Sequence, residues 1–370
     1  MTQTQNNRTV FNKQSTGHET KTYPLFFGEQ MGTYDTVNMN YPSIFSLYNR
    51  QMGQIWYSTE VDVLRDRIDL LQAPRDVVDV MMLNVQWQTA MDSVAARSVS
   101  LLLLKHITNP EMESLVQAWG LFEGIHAVSY ADIVENIFPN PSDMIGDIME
   151  NENVMKRTDV LVKVFDNLYN LPDSATMPEK RRAMILAFTA FYAMESISFM
   201  SSFTATFTIA KNVRRFIGIS ERVRLICRDE MLHQHFAFEV LRIMRDVEKY
   251  PEWNETYEAR KEIIDNIVSV EYDWNEFLLK DRDVLGLNTG FLNSAVEFFA
   301  SPVYSKLGIE APFELTFDSP VAHLNSYFDT SLIQTASQEL QQTGYKTGSL
   351  VDDGVEDIKF FEVNGNYLIS

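Results

Sequence analysis

The chain has 370 residues, 45% of them hydrophobic, enough for one large buried core or two ordinary ones. Its formal charge of −20 argues against nucleic acid and anionic membrane as partners, since both would repel it. The single cysteine, Cys227, excludes a disulfide framework and a CxxC redox pair within one chain and fits a cytoplasmic location.

Met1 to Thr22 is polar, has no apolar secretory segment and reads as a loose tail. Tyr23 to Asn40 reads as an irregular arm. Pro42 starts a helix expected to reach Trp56, and Tyr57 to Leu71 reads as a connection. A second helix is expected from Arg75 to Val99. Asn109-Pro110 marks a boundary, and Pro110 starts a long helix that ends before Pro139 and Pro141. Two shorter helices fit between Ser142 and Leu171. Ala183 to Ala210 carries one charged residue, Glu195, and is long enough to span a bilayer. Serines and threonines crowd its second half, so it reads as the buried central helix of a bundle. Helices over Glu221–Val247, Pro251–Lys280 and Phe291–Leu307 complete an all-α reading. After Pro312 polar and acidic residues take over, and such a segment stays flexible until it meets a partner. The expected layout is a tail over 1–22, a helical domain over 23–312 and a flexible C-terminal segment over 313–370.

The chemistry gathers around Glu123 and His126. On a helix they lie one turn apart, with Tyr130 one turn further on the same face. A second Glu-x-x-His, Glu230 and His233, lies inside another expected helix. One such pair arises readily by chance; two, each mid-helix among apolar neighbours, rarely do. Asp92 and Glu195 add carboxylates where a core helix should have none, and an ionised carboxylate there costs several kcal/mol unless paired or coordinated. Four helices, four carboxylates and two histidines match a di-iron or di-manganese carboxylate bundle. Taken singly, Asp92 reads equally well as an exposed helix residue, His126 as a hydrogen-bonded core histidine and Tyr130 as a core tyrosine. His235 points away from His233 around the helix and is set aside. Cys227 reads as a small buried hydrophobe. Gly124, beside Glu123, predicts a local distortion of its helix.

Asp92, Glu123/His126, Tyr130, Glu195 and Glu230/His233 fall in the order and spacing of a known family. So do the flanking strings YPLFFG, EVDVLRDRID, QTAMDS, RDEMLH and GLN. The chain resembles the small, radical-generating subunit of class Ia ribonucleotide reductase from about Tyr23 to Tyr345. The resemblance implies a ferritin-like homodimer with two iron ions per chain, manganese being a possible substitute. It also implies that O2 oxidises Tyr130 to a stable radical, which a large subunit would use to reduce ribonucleotides. The resemblance further implies radical-transfer roles for Trp56, Asp229 and Tyr345, and a shielding pocket of Phe199, Phe203 and Ile226. It implies a tail that docks on the large subunit, although the terminal YLIS differs from the expected ending. The residues themselves add that one cysteine cannot supply the redox thiol pair that ribonucleotide reduction needs, so this chain is not the substrate-turning subunit. A di-iron oxidase or monooxygenase on the same bundle, and a non-enzymatic iron-binding protein, are the alternatives. Tyr130, Trp56 and the long tail argue against both.

Overall fold

The computed structural model describes residues 9–328 and, for the backbone alone, the strands Phe360–Val363 and Asn366–Ile369. The chain divides into two compact units, Met1–Thr330 and Ser331–Ser370. In the first unit, the described residues form a helical bundle. Its main helices are α1 (Pro42–Met52), α2 (Asp66–Gln72), α3 (Arg75–Leu103), α4 (Pro110–Ile137), α5 (Pro141–Glu150) and α6 (Glu152–Tyr169). The long helix α7 (Met177–Val213), α8 (Ile217–Arg242), α9 (Tyr257–Leu279) and α10 (Thr289–Leu307) complete it.

Local chemistry sets the starts. Asn109 caps α4 by accepting from Met112 N at 2.8 Å, with Pro110 in the first turn. Thr176 and Glu179 form a reciprocal capping box at the start of α7. α8 has no cap of its own. The break before it is made by Arg214 and Phe216, both at positive φ (57° and 54°). Its exposed N–H groups are taken up from α2: Asp66 accepts from Gly218 N at 3.1 Å and Ile219 N at 2.6 Å, and Asp69 accepts from Phe216 N at 2.8 Å. The connection expected over Tyr57–Leu71 therefore contains a working helix.

α7 is the one helix among the described residues long and apolar enough to cross a membrane. In the fold, 89% of its apolar window is buried in the bundle. It is not a regular α-helix. Met194–Ser198 and Ile209–Val213 are π-turns, and Phe199 N donates to Met194 O across the first of them. The distortion expected at Gly124 does not occur, because α4 is α-helical from Pro110 to Ile137. Nothing lies within 4 Å of where a Gly124 Cβ would stand, so glycine there answers no crowding and breaks no hydrogen bond. The irregular ligand helix is the one that carries Glu195.

Several boundaries move. α1 ends at Met52, and α3 takes in Leu101–Leu103. The N-terminal segment is tied down from residue 9, with Asn12 N donating to Met31 O at 2.9 Å and Gly17 buried. The compact unit also extends past 312, because Val321 and Leu324 are buried and the Tyr327 ring stacks on Phe207 at 4.8 Å. In the second unit, Phe360–Val363 pairs antiparallel with Asn366–Ile369, where the sequence reading had only a flexible segment.

Candidate metal centre

Six side chains meet in the bundle interior, all fully buried: Asp92 from α3, Glu123 and His126 from α4, Glu195 from α7, Glu230 and His233 from α8. They form two overlapping candidate ligand sets, each of which could hold a metal ion. Asp92, Glu123, His126 and Glu230 make one, and Glu123, Glu195, Glu230 and His233 make the other. Within each set the donor atoms lie within 4.8 Å of one another. Glu123 and Glu230 belong to both sets, so two cations held here would share two carboxylates.

The histidines face inward. His126 Nδ1 lies 3.0 Å from Glu230 Oε1 and 3.4 Å from Asp92 Oδ1. His233 Nδ1 lies 2.6 Å from Glu230 Oε2 and 2.9 Å from Glu123 Oε1. On its outer side His126 Nε2 meets Asp229 Oδ2 at 3.1 Å, and Trp56 Nε1 donates to the same oxygen at 2.7 Å. With Nε2–H donating to Asp229, His126 Nδ1 presents a lone pair to three carboxylates. A cation or a proton between them is needed to make that favourable.

The electrostatics require positive charge. Burial pushes Asp92 up to about 8. Burial, reinforced by Glu230 and Glu123, pushes Glu195 well above the carboxylate range. Burial would raise Glu123 too, but His233 and His126 outweigh it and hold it down at about 2. Burial disfavours imidazolium at His233, yet Glu230 and Glu123 lift it to about 9. His126 is raised in the same way, chiefly by Glu230 against its burial. Without metal, protons take the place of cations. Unless protons or cations are supplied, both oxygens of Asp92 and of Glu195, and His126 Nδ1, have no hydrogen-bond partner. Two divalent ions would balance four carboxylates and use these orphaned atoms, so the donor set fits a pair of oxygen-preferring metals.

Around the ligands, Trp119 Nε1 donates to Glu123 Oε1 at 2.7 Å, and its ring lies 5.5 Å from that of His233. Trp119 was missed in the sequence, although it stands four residues before Glu123 on the same helix face. Arg228 was also missed. It spans Asp229 Oδ1, at 3.3 Å, and Gln54 O, at 2.5 Å, and so ties the Trp56 segment to α8. Tyr130 is fully buried, its OH without a hydrogen-bond partner. Burial raises its phenol well above the ordinary value, and Asp92 exerts the largest charge effect on it. Phe199, Phe203 and Ile226 are fully buried, with the two phenyl rings stacked at 5.7 Å. His235 is exposed, as its helical angle implies. Tyr345 lies outside the described residues.

A helical bundle that buries two carboxylate–histidine sets with shared glutamates has the residue pattern of the dimetal-carboxylate proteins. The sequence model of the ribonucleotide reductase small chain matches residues 34–320. The ribonucleoside-diphosphate reductase 1 subunit beta of Escherichia coli O157:H7 is 29% identical over 362 residues, covering 92% of this chain and 96% of that one. The corresponding beta subunit of Enterobacteria phage T4 is 26% identical, over 90% and 94%. Among solved structures, the ribonucleotide reductase R2 subunit from Clostridium botulinum superposes with a TM-score of 0.77 at 17% identity, covering 87% of this chain and 98% of that one. A dimanganese(II) NrdF from Streptococcus sanguinis gives a TM-score of 0.65 at 17% identity, over 82% and 100%. The chain belongs to the ribonucleotide reductase small-chain family, oxidoreductases whose small subunit works with a large one.

Proposed function

We propose that the protein binds two iron ions, with manganese as the alternative, and uses O2 to oxidise Tyr130 to a stable radical. A large subunit then draws on that radical to reduce ribonucleotides. The observation that carries this reading is the sharing of Glu123 and Glu230 by two buried ligand sets. Bound there, a pair of redox metals supplies oxidising equivalents that no side chain can.

The chain's own residues hold, shield and connect. Asp92, Glu123, His126 and Glu230 hold one ion, and Glu123, Glu195, Glu230 and His233 hold the other. Tyr130 is a neutral phenol, so its oxidation removes one electron and one proton together. Among the carboxylates of the site, Asp92 is the one whose charge acts on it most strongly. The burial of Phe199, Phe203 and Ile226 supports their assignment as the dry pocket that keeps water and reductants away. The hydrogen-bonded series Trp56–Asp229–His126 supports a radical-transfer role for Trp56 and Asp229. When an electron passes through Trp56, Asp229 accepts the indole proton, and no net charge is stranded in the interior. Tyr345 is assigned the next step, toward the large subunit, and the terminal residues are assigned to docking.

A homodimer is supported by α4. Leu121, Gly124 and Val128 follow helical spacing along an outward face, Val128 is 61% exposed, and the space above Gly124 is open.

The reading is tested by truncating the chain after Leu340 and assaying it with its large subunit. Radical formation is expected to survive and ribonucleotide reduction to fall to background. Retained turnover would remove Tyr345 and the tail from the pathway.

A further inference from the structure

Glu195 lies within the π-turn at Met194–Ser198, where the wider winding points side chains in other directions than a regular helix would. A buried ion pair grips the end of that turn. Arg157 of α6 donates through Nε to Glu271 Oε1 of α9 at 2.9 Å, and through Nη2 to Glu271 Oε2 at 2.6 Å. The same Nη2 donates to the carbonyl oxygen of Ser198 at 3.2 Å, and Glu271 also takes a hydrogen bond from the Ser198 side chain. The guanidinium is sandwiched between Trp87 of α3, 3.5 Å from the ring centre, and Trp274 of α9, at 4.8 Å. Trp87 in turn lies against Phe199, the residue that follows the π-turn, at 5.5 Å between rings.

Both charges are almost wholly buried, and desolvating such a pair costs enough that an apolar replacement of similar volume is commonly as stable or more so. Stability alone therefore gives little reason for the pair. What it does uniquely is fix Ser198 through both its carbonyl and its hydroxyl, at the last residue of the wide turn. We propose that Arg157 and Glu271 are positioning residues for Glu195. They hold the Met194–Ser198 turn so that the Glu195 carboxylate faces Glu123, Glu230 and His233. This rests on the reading of Glu195 as a ligand. It predicts a selective effect on the ligand set that contains Glu195, with the Asp92–His126 set left intact.

The test is a Mn(II) titration of full-length protein, monitored by electron paramagnetic resonance, with hydrogen exchange of residues 194–199 measured in parallel. The parent is compared with the double variant R157M/E271L, which removes both charges together, and with Glu195→Ala. The double variant is expected to fold, to keep one ion at parental affinity, to bind the second about 10–100-fold more weakly, and to exchange faster over 194–199. Two ions bound at parental affinity by the double variant would overturn the positioning role, provided Glu195→Ala loses the second ion. Two tightly held ions in Glu195→Ala would instead overturn the ligand reading itself. If the double variant does not fold, Glu271→Gln gives the same comparison: unchanged binding of the second ion counts against the clamp, and selective weakening supports it.

Discussion

Tyr130→Phe is expected to bind two metal ions as the parent does and to support no ribonucleotide reduction, a loss of about 10³-fold or more. The substitution removes one oxygen and nothing else. That oxygen has no hydrogen-bond partner in a fully buried site, so its loss leaves no new unsatisfied group. Stability is expected to change by no more than about 1 kcal/mol, and in the favourable direction. Phenylalanine has no O–H from which an electron and a proton can leave together, so no radical could form at this position. Metal content, thermal unfolding and turnover measured on one preparation separate the effects. Substantial turnover in Tyr130→Phe would show that the radical resides elsewhere or that the chemistry is different.

Glu230→Ala is expected to lose tight binding of both ions, whereas Glu195→Ala should retain one. Glu230 contributes to both ligand sets, while Glu195 contributes to one. Its carboxylate also lies against both histidines, at 3.0 Å from His126 Nδ1 and 2.6 Å from His233 Nδ1. Removing it leaves each set with three donors and takes away one of the two shared carboxylates. Metal addition should raise the parent's unfolding temperature, because only the folded chain presents the site; at 1,000 times Kd the gain is about 4 kcal/mol per site. Glu230→Ala should show almost none of this shift. The pH dependence follows from the same groups. Asp92, up at about 8 through burial, and His233, at about 9 against its burial, hold protons in the metal-free site that metal must displace. Affinity is therefore expected to fall as pH is lowered through that range. Calorimetric titration of the variants checks both points. Two ions bound tightly by Glu230→Ala would contradict the shared-ligand arrangement.

The six-residue cluster was legible in the sequence because its signal is local. Glu-x-x-His places both groups on one helix face, and a carboxylate among apolar residues has few other reasons to be there. Trp56 and Asp229 were reached through resemblance to the family. Their shared hydrogen bond joins residues 173 positions apart, and no spacing rule reports such a contact. The capping of α8 by Asp66 and Asp69 escaped for the same reason. The π-turn at Glu195 is a matter of hydrogen-bond register, one residue gained without a proline or glycine to mark it. The glycine that did draw attention, Gly124, lies in regular helix. The boundary at 312 was misjudged on composition, since the polar stretch that follows still buries Val321 and Leu324.

The decisive property is oxidation of Tyr130 by this centre. Metal-free protein reconstituted anaerobically with two equivalents of Fe(II) and then exposed to O2 should develop a tyrosyl radical, read by electron paramagnetic resonance and by its optical absorption. Uptake of two irons with O2 consumed and no radical formed would contradict it, and would make the protein a di-iron oxidase on the same bundle.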